Sequence, residues 1–394
     1  MTHPFEIYSE QVLAFKLGGQ DEVESFTRQK KAESTAARHL NYAEKRGAKA
    51  VVLFGLGAGD MAQILAESKP DDLELIICDT FPDHVRKMRQ NLPDLFSARS
   101  NVRLLTDLSI WAMLLLLLQN GYTAENSHLV LNPELQGHAR ETMRSLQRIF
   151  SGLRTVPLPE KPTAPSISAA AILSPDEPDL DSFIKSFPEW LDEIILVWDL
   201  PEGAHPPELR HPHVPVTGYC HCLADNFGAQ RNRMLEHCTG DWIIYLDADE
   251  RLDSREWENL RKATAIEGCE GWFLPRLTLY PDKNNCRAGY GLWPDLQLRF
   301  FRNTGKLKFI NRIHERIEGI NGPSGILPGT PLRHLTHLLK SRKKIEAKLN
   351  SFNRAAEGEF SHRLGTELPH VDCSVLYPDG LEFFPAVILP EFNL

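Results

Sequence analysis

The chain has 394 residues, 42% of them hydrophobic and 25% charged, with a formal charge of -9 at neutral pH. That length exceeds one ordinary core and points to two domains, and the composition is that of a globular protein rather than a fibrous or disordered one. The acidic balance argues against bulk nucleic-acid binding, which needs a basic face to neutralise phosphates.

The N-terminus lacks the basic and apolar regions of a signal peptide. The longest apolar run, Ile110 to Leu118, has nine residues, about half of the roughly 20 that a membrane span needs, and reads as a buried helix. The seven cysteines include one close pair, Cys220-His-Cys222. With no second pair at zinc-finger spacing, they read as reduced thiols of a cytoplasmic protein. The basic run Lys340-Ser-Arg-Lys-Lys344 reads as a solvated helix face, with a phosphate contact or a peripheral contact at the inner face of the membrane as the alternative.

In chain order, residues 1 to about 45 are polar and helical in pattern. Ala48 to Phe54 reads as a strand, Gly55-Leu-Gly57-Ala-Gly59-Asp60 as a tight glycine turn, and Met61 to Glu67 as the helix after it. Leu73 to Cys78 is a second strand, leading into Asp79, and Ser127 to Leu131 a third, ending at Asn132-Pro133. Strands alternating with helices predict a parallel α/β sheet. Pro157, Pro159, Pro162 and Pro165 break any regular element and place a linker at 151–165. A second α/β unit follows, with strands over Ile167–Leu173, Asp192–Val197 and Asp241–Leu246, helices over Leu180–Trp190 and Ala229–Cys238, and a loop from His205 to Pro215. The expected division is therefore 1–150 as a Rossmann-like α/β domain, 151–165 as linker, 166–358 as a second α/β domain and 359–394 as a C-terminal extension. That extension holds one short apolar run, Phe384 to Leu389.

The strand at Trp242 runs straight into Asp247-Ala-Asp249-Glu250. Ligands of open α/β sheets bind at the carboxyl ends of strands. Two aspartates there can share Mg²⁺ or Mn²⁺, which would neutralise a departing diphosphate. Strand alternation would put Asp247 and Asp249 on one side. The alternative is a solvated acidic turn before a helix.

The succession from Asn226-Phe-Gly-Ala-Gln-Arg231-Asn232 through Thr239-Gly-Asp-Trp-Ile to Asp247-Ala-Asp249-Glu250 resembles family 2 inverting glycosyltransferases of the GT-A fold. Trp293-Pro-Asp295-Leu-Gln-Leu-Arg299, Asn311-Arg-Ile-His314-Glu315 and the stretch Ile326–Glu357 resemble the branch that decorates lipopolysaccharide cores. The resemblance covers about residues 166–358. It implies a nucleotide-diphosphate sugar as donor and a glycan, lipid-linked or protein acceptor. It also implies Asp249 as the direct metal ligand, Asp247 as a contact of the ribose or the metal, and His334 as a further metal ligand, with His337 and His314 as alternatives to His334. A carboxylate base follows, Asp295 first and Glu315 second; their structural alternatives are pairing with Arg299 and with Arg312 or Arg316. Arg231 would meet the diphosphate or form a salt bridge, Asp199 would meet the base or ribose, and Trp293 would stack on a sugar or sit in the core. Where this family has a Lys-Asn-Glu-Glu-like segment after its first strand, this chain has Ser174-Pro-Asp176-Glu177, without the basic and amide groups. A non-catalytic scaffold with a degenerate transferase fold is the competing reading.

The first domain's Phe54-Gly55-Leu-Gly57 turn resembles those of class I methyltransferases that use S-adenosylmethionine, and of motility-accessory-factor proteins. By that likeness Gly55, Gly57 and Asp79 would contact a cofactor. A structural or acceptor-recognising role is the alternative.

Overall fold

The computed structural model describes residues 2–15, 26, 32–97, 101–162, 164–312, 315–346, 368–378 and 384–389. The chain forms two compact units: Met1–Arg154 with Asn285–Pro294 and Leu368–Leu381, and Thr155–Asn284 with Asp295–Glu367 and Glu382–Leu394. The division at 154/155 lies close to the proline-rich stretch. The short excursions at 285–294 and 368–381 give the first unit residues that lie outside its expected span.

In the first unit, β1 (Ala50–Phe54), β2 (Glu74–Asp79), β3 (Val102–Thr106) and β4 (Ser127–Leu131) form a sheet in the order β3-β2-β1-β4. Every pairing is parallel. β1 is buried along its whole length, as the middle of a sheet covered on both faces must be, so it reads as a continuous apolar run. The helices α1 (Pro4–Ala14), α2 (Ala32–Lys45), α3 (Asp60–Ser68), α4 (Pro82–Asn91), α5 (Pro93–Ser97), α6 (Ile110–Gln119) and α7 (Gly137–Gly152) belong to the same unit. α6 is the buried helix expected from the apolar run. Ser109 caps its N-terminus by accepting from the Ala112 amide at 3.3 Å. The Tyr8 hydroxyl hydrogen-bonds the Asp107 carboxylate, and the Gly289 and Tyr290 amides reach Tyr8 and Asp107 at 3.1 and 2.8 Å. The 285–294 excursion is thus tied into this unit by buried polar groups.

The second unit begins in β5 (Arg154–Val156) and runs through β6 (Ile167–Leu173), α8 (Leu180–Lys185), β7 (Glu193–Trp198), β8 (Val216–Cys220), α9 (Phe227–His237), β9 (Trp242–Tyr245), β10 (Glu250–Arg251), α10 (Ser254–Ala263) and β11 (Gly271–Thr278). After β12 (Asn285–Arg287), which pairs within the first unit, come β13 (Leu296–Arg302), the hairpin of β14 (Lys308–Ile310) and β15 (Arg316–Glu318), β16 (Ser324–Ile326), β17 (Leu332–His334) and α11 (Thr336–Leu339). β18 (His370–Asp372) is the partner of β12, and β19 (Ala386–Ile388) returns to the main sheet. The main sheet follows β5-β19-β16-β11-β13-β9-β6-β7-β8. β9, β6, β7 and β8 are mutually parallel, and β13 enters antiparallel between β9 and β11. This is the mixed α/β class expected from the sequence. A core of large side chains, including Trp198, Trp242, Trp257, Trp272 and Phe300, supports one face. α8 stops at Lys185, five residues short of the expected Trp190, because Pro188 cannot continue a helix.

Candidate active site

β9 ends at Tyr245, and the acidic segment does not continue it as a strand. The Glu250 amide donates to the Asp247 carbonyl at 2.9 Å and closes a turn, while the Asp247 amide donates to the Glu250 carboxylate at 3.0 Å. The expected strand alternation therefore fails, and the two aspartates face different partners. Asp247 accepts from Arg231 Nη2 at 3.0 Å on Oδ1 and from Arg299 Nη2 at 2.8 Å on Oδ2. Asp249, only 2% exposed, accepts from Lys340 Nζ at 2.9 Å and lies 3.6 Å from His334 Nε2.

Around Asp247 the charges form one chain. Arg299 also donates to the fully buried Glu250 at 2.7 Å. Arg276 lies 3.6 Å from the same carboxylate and grips Asp295 Oδ2 with two nitrogens at 2.5 and 2.8 Å. Arg231 Nε reaches Glu315 at 3.2 Å. Arg231 and Arg299 both lie over the Tyr245 ring, at 4.7 and 4.5 Å from its centroid. Burial pushes the Glu250 carboxyl up, and Arg299 and Arg276 only partly counter it. For Arg299 burial acts downward, but Asp247 and Glu250 outweigh it and hold the guanidinium well above its ordinary value. Lys340 follows the same logic: burial lowers it, Asp249 and Glu177 raise it more, and it stays an ammonium. Two guanidinium nitrogens in this cluster, Arg231 Nη1 and Arg299 Nε, are buried without an acceptor among the described residues.

The expected pairings change accordingly. Asp295 binds Arg276 rather than Arg299, and Glu315 binds Arg231 rather than a near neighbour. Asp199 stands just after β7 and accepts from the Leu223 amide at 2.8 Å. Trp293 takes the core alternative: it is fully buried in the first unit, beside Tyr8. His337 packs edge-on against Tyr280, and His314 lies outside the described residues.

A divalent ion fits this donor set poorly. Among the described residues no group of three or more His, Cys, Asp or Glu side chains is disposed to hold a metal. Both Asp247 oxygens are bonded to guanidinium groups, and Asp249 carries the ammonium of Lys340. A divalent ion on Asp249, about 4 Å from that ammonium, would meet a repulsion on the order of 8 kcal/mol at an effective dielectric of about 20. Asp247, Asp249 and His334, the residues expected as metal ligands, are engaged by other protein groups here: Arg231 and Arg299 for Asp247, Lys340 for Asp249 and Thr278 for His334. The basic run at Lys340 is corrected. Lys340 is 93% buried, whereas Arg342 behaves as the expected solvated face and pairs with Glu346.

Residues 219–310 match the family model described as glycosyl transferase family 2. Over this stretch the chain is similar to glycosyl transferases of family 2. The stretch contains Arg231, the Asp247–Glu250 turn, Arg276, Asp295 and Arg299. A TPR repeat-containing protein of Synechococcus elongatus is 34% identical over 95 residues, which is 24% of this chain and 22% of that protein. The chain thus spans about a fifth of the length of that curated relative. Among solved structures, S. aureus TarS residues 1–349 superposes with a TM-score of 0.26 and 12% identity, over 37% of this chain and 50% of the other. GalNAc-T7 with UDP, GalNAc and Mn²⁺ gives 0.25 and 18%, over 30% and 24%. At these scores the superpositions carry no argument.

The first unit's glycine turn has a different occupant from the one its sequence suggests. A Cβ on Gly57 would fall 2.5 Å from Glu134 Oε2, and one on Gly55 would fall 2.5 Å from Leu135. Glu134, fully buried, accepts from the Gly59 and Met61 amides at 3.1 and 2.7 Å at the start of α3. Asp79 spends its carboxylate on the Leu56 and Phe81 amides at 2.7 and 2.8 Å. Of the three residues expected to contact a cofactor, Gly55 and Gly57 face the chain's own 132–135 segment and Asp79 bonds the Leu56 and Phe81 amides. The amides that would bind an anion are already satisfied.

Proposed function

We propose that the second unit moves a sugar from a nucleotide-diphosphate sugar to an acceptor hydroxyl, with inversion at the anomeric carbon, on a GT-A framework. The observation that carries the reading is the coincidence of the matched segment with the charged cluster at the carboxyl end of β9. Asp295 is the first candidate for the base and Glu315 the second. The base takes the proton of the acceptor hydroxyl as its oxygen attacks, and the nucleoside diphosphate leaves from the opposite face. The side chain of Asp295 is 31% exposed against 16% for Glu315, which favours Asp295 as the group an acceptor can reach. Arg276 fixes its Oδ2 and Gln297 its Oδ1, so the carboxylate has one orientation. The buried Arg231 and Arg299 supply positive charge for the leaving diphosphate. Asp199, just beyond β7, is the candidate for the base or ribose. The acceptor belongs to the bacterial glycan, lipid-linked or protein class. The Mn²⁺ or Mg²⁺ expected from the acidic pair has no step in this scheme.

Release of nucleoside diphosphate from a panel of nucleotide sugars tests the proposal. Asp295→Asn lowers the turnover by about 10²–10⁴-fold while nucleotide affinity stays near that of the parent. Folded protein that releases nothing from any donor, and binds no nucleoside diphosphate, refutes it.

A further inference from the structure

The sequence departs from the family it resembles at Ser174-Pro-Asp176-Glu177, where a basic group is missing after the first strand of the unit. The structure brings a basic group to that place from more than 160 residues away. Lys340, just past α11, sets its Nζ 2.8 Å from Glu177 Oε2 and 2.9 Å from Asp249 Oδ2. One ammonium therefore joins the loop after β6 to the turn after β9, the two loops that flank the carboxyl ends of neighbouring parallel strands. A surface lysine would not be placed so: both carboxylates are largely buried, and Lys340 shares their environment. Arg231 Nη1 is a second buried cationic donor, without an acceptor among the described residues.

We propose that Lys340 is the donor-site cation: its ammonium meets the diphosphate of the nucleotide sugar and holds the place on Asp249 that a divalent ion would otherwise take. This inference rests on the glycosyltransferase reading. A tethered ammonium is present in every molecule, and a metal must expel it before reaching Asp249. Lysine recognises phosphate as a compact point charge with freely rotating donors, so it needs no fixed coordination geometry. The departure at residues 174–177 then marks a relocation of the positive charge rather than its loss, and it ceases to argue for a degenerate, non-catalytic domain.

Calorimetric titration of the full chain with uridine, guanosine and thymidine diphosphates, in EDTA and in Mn²⁺, tests this. The parent protein binds one of them in EDTA, with less than about a twofold change when Mn²⁺ is added. Lys340→Gln loses about tenfold or more in EDTA, as for a charge-assisted contact. Mn²⁺ restores much of that loss, because the place on Asp249 is now open. Lys340→Arg, with its charge kept, retains measurable metal-free binding, and circular dichroism of both variants establishes that they fold. Binding of the parent only in the presence of Mn²⁺ overturns the proposal and leaves the glycosyltransferase reading standing. So does metal-free binding by Lys340→Gln as tight as that of the parent. Absence of binding under both conditions refutes the glycosyltransferase reading itself, and the assignment of Lys340 with it.

Discussion

Replacing Arg299 with methionine is the most informative perturbation of the charged cluster. Its guanidinium is 3% exposed and holds Glu250, which is fully buried, and Asp247 at 2.7 and 2.8 Å. Removing one partner of a buried pair costs about 3–5 kcal/mol, because the remaining charge is left without compensation. Two features pull the expected cost to the low end, near ~3 kcal/mol. Arg276 remains 3.6 Å from Glu250, and burial already favours the protonated Glu250 carboxyl. For the same reason the cost is smaller at pH 5 than at pH 8: once Arg299 is gone, protonation of Glu250 removes the stranded charge. Glu250→Gln in the Arg299→Met background recovers part of the loss, with a coupling of about 2 kcal/mol in the double-mutant cycle. Urea unfolding followed by tryptophan fluorescence suits the measurement, since five of the seven tryptophans lie in the second unit. A cost for Arg299→Met below about 1 kcal/mol, or a coupling of zero within error, would refute the claim that Glu250 depends on Arg299.

The first unit offers two further tests. Burial raises the Asp107 carboxyl to about 6 despite the bond from Tyr8, so the folded state holds this proton more tightly than the unfolded chain. Stability should fall by about 3 kcal/mol as pH rises from ~4 to ~6; Asp107→Asn loses that slope, and equal slopes in denaturation curves across this window would show the assignment to be wrong. Gly57→Ala places a Cβ 2.5 Å from Glu134 at φ +62°, whereas Gly47→Ala has a similar φ of +60° and open space around it. Gly47→Ala should cost about 1 kcal/mol of backbone strain and Gly57→Ala clearly more, and equal shifts in melting temperature would remove Glu134 from the account.

Buried parallel strands were the most legible part of the chain. Ile167–Leu173 appears with the boundaries that its apolar run predicts, because a strand covered on both faces is apolar at nearly every position, and the partly buried edge strand Ser127–Leu131 also appears with its expected boundaries. β8, with two exposed residues among five at the edge of its sheet, carries no such run and gave no signal. β11 was equally silent, since its Pro275 argues against a central strand. At the site, the acidic segment, Arg231 and Asp295 were legible as residue types in order, but their partners were not. Which arginine holds Asp295 depends on strand register between β11 and β13, which single-sequence patterns do not encode. Lys340 was hidden inside a charge run whose other members are solvated, and Asp249 lies 91 residues from it. Asn132-Pro133 is legible as a strand end, yet the residue that fills the glycine turn is the next one, Glu134. Only the fold brings it to the start of α3.

The excursion at residues 285–294 has a consequence for the order in which the protein is made. Tyr8 and Asp107 emerge from the ribosome early, but the Gly289 and Tyr290 amides that complete their buried network, and the β18 partner of β12, follow far later. The first unit is therefore begun first but cannot be finished until nearly the whole chain has been made. A nascent chain halted after Arg154 would carry a buried carboxylate short of one of its donors, and such a fragment should be a better substrate for proteases than the full chain.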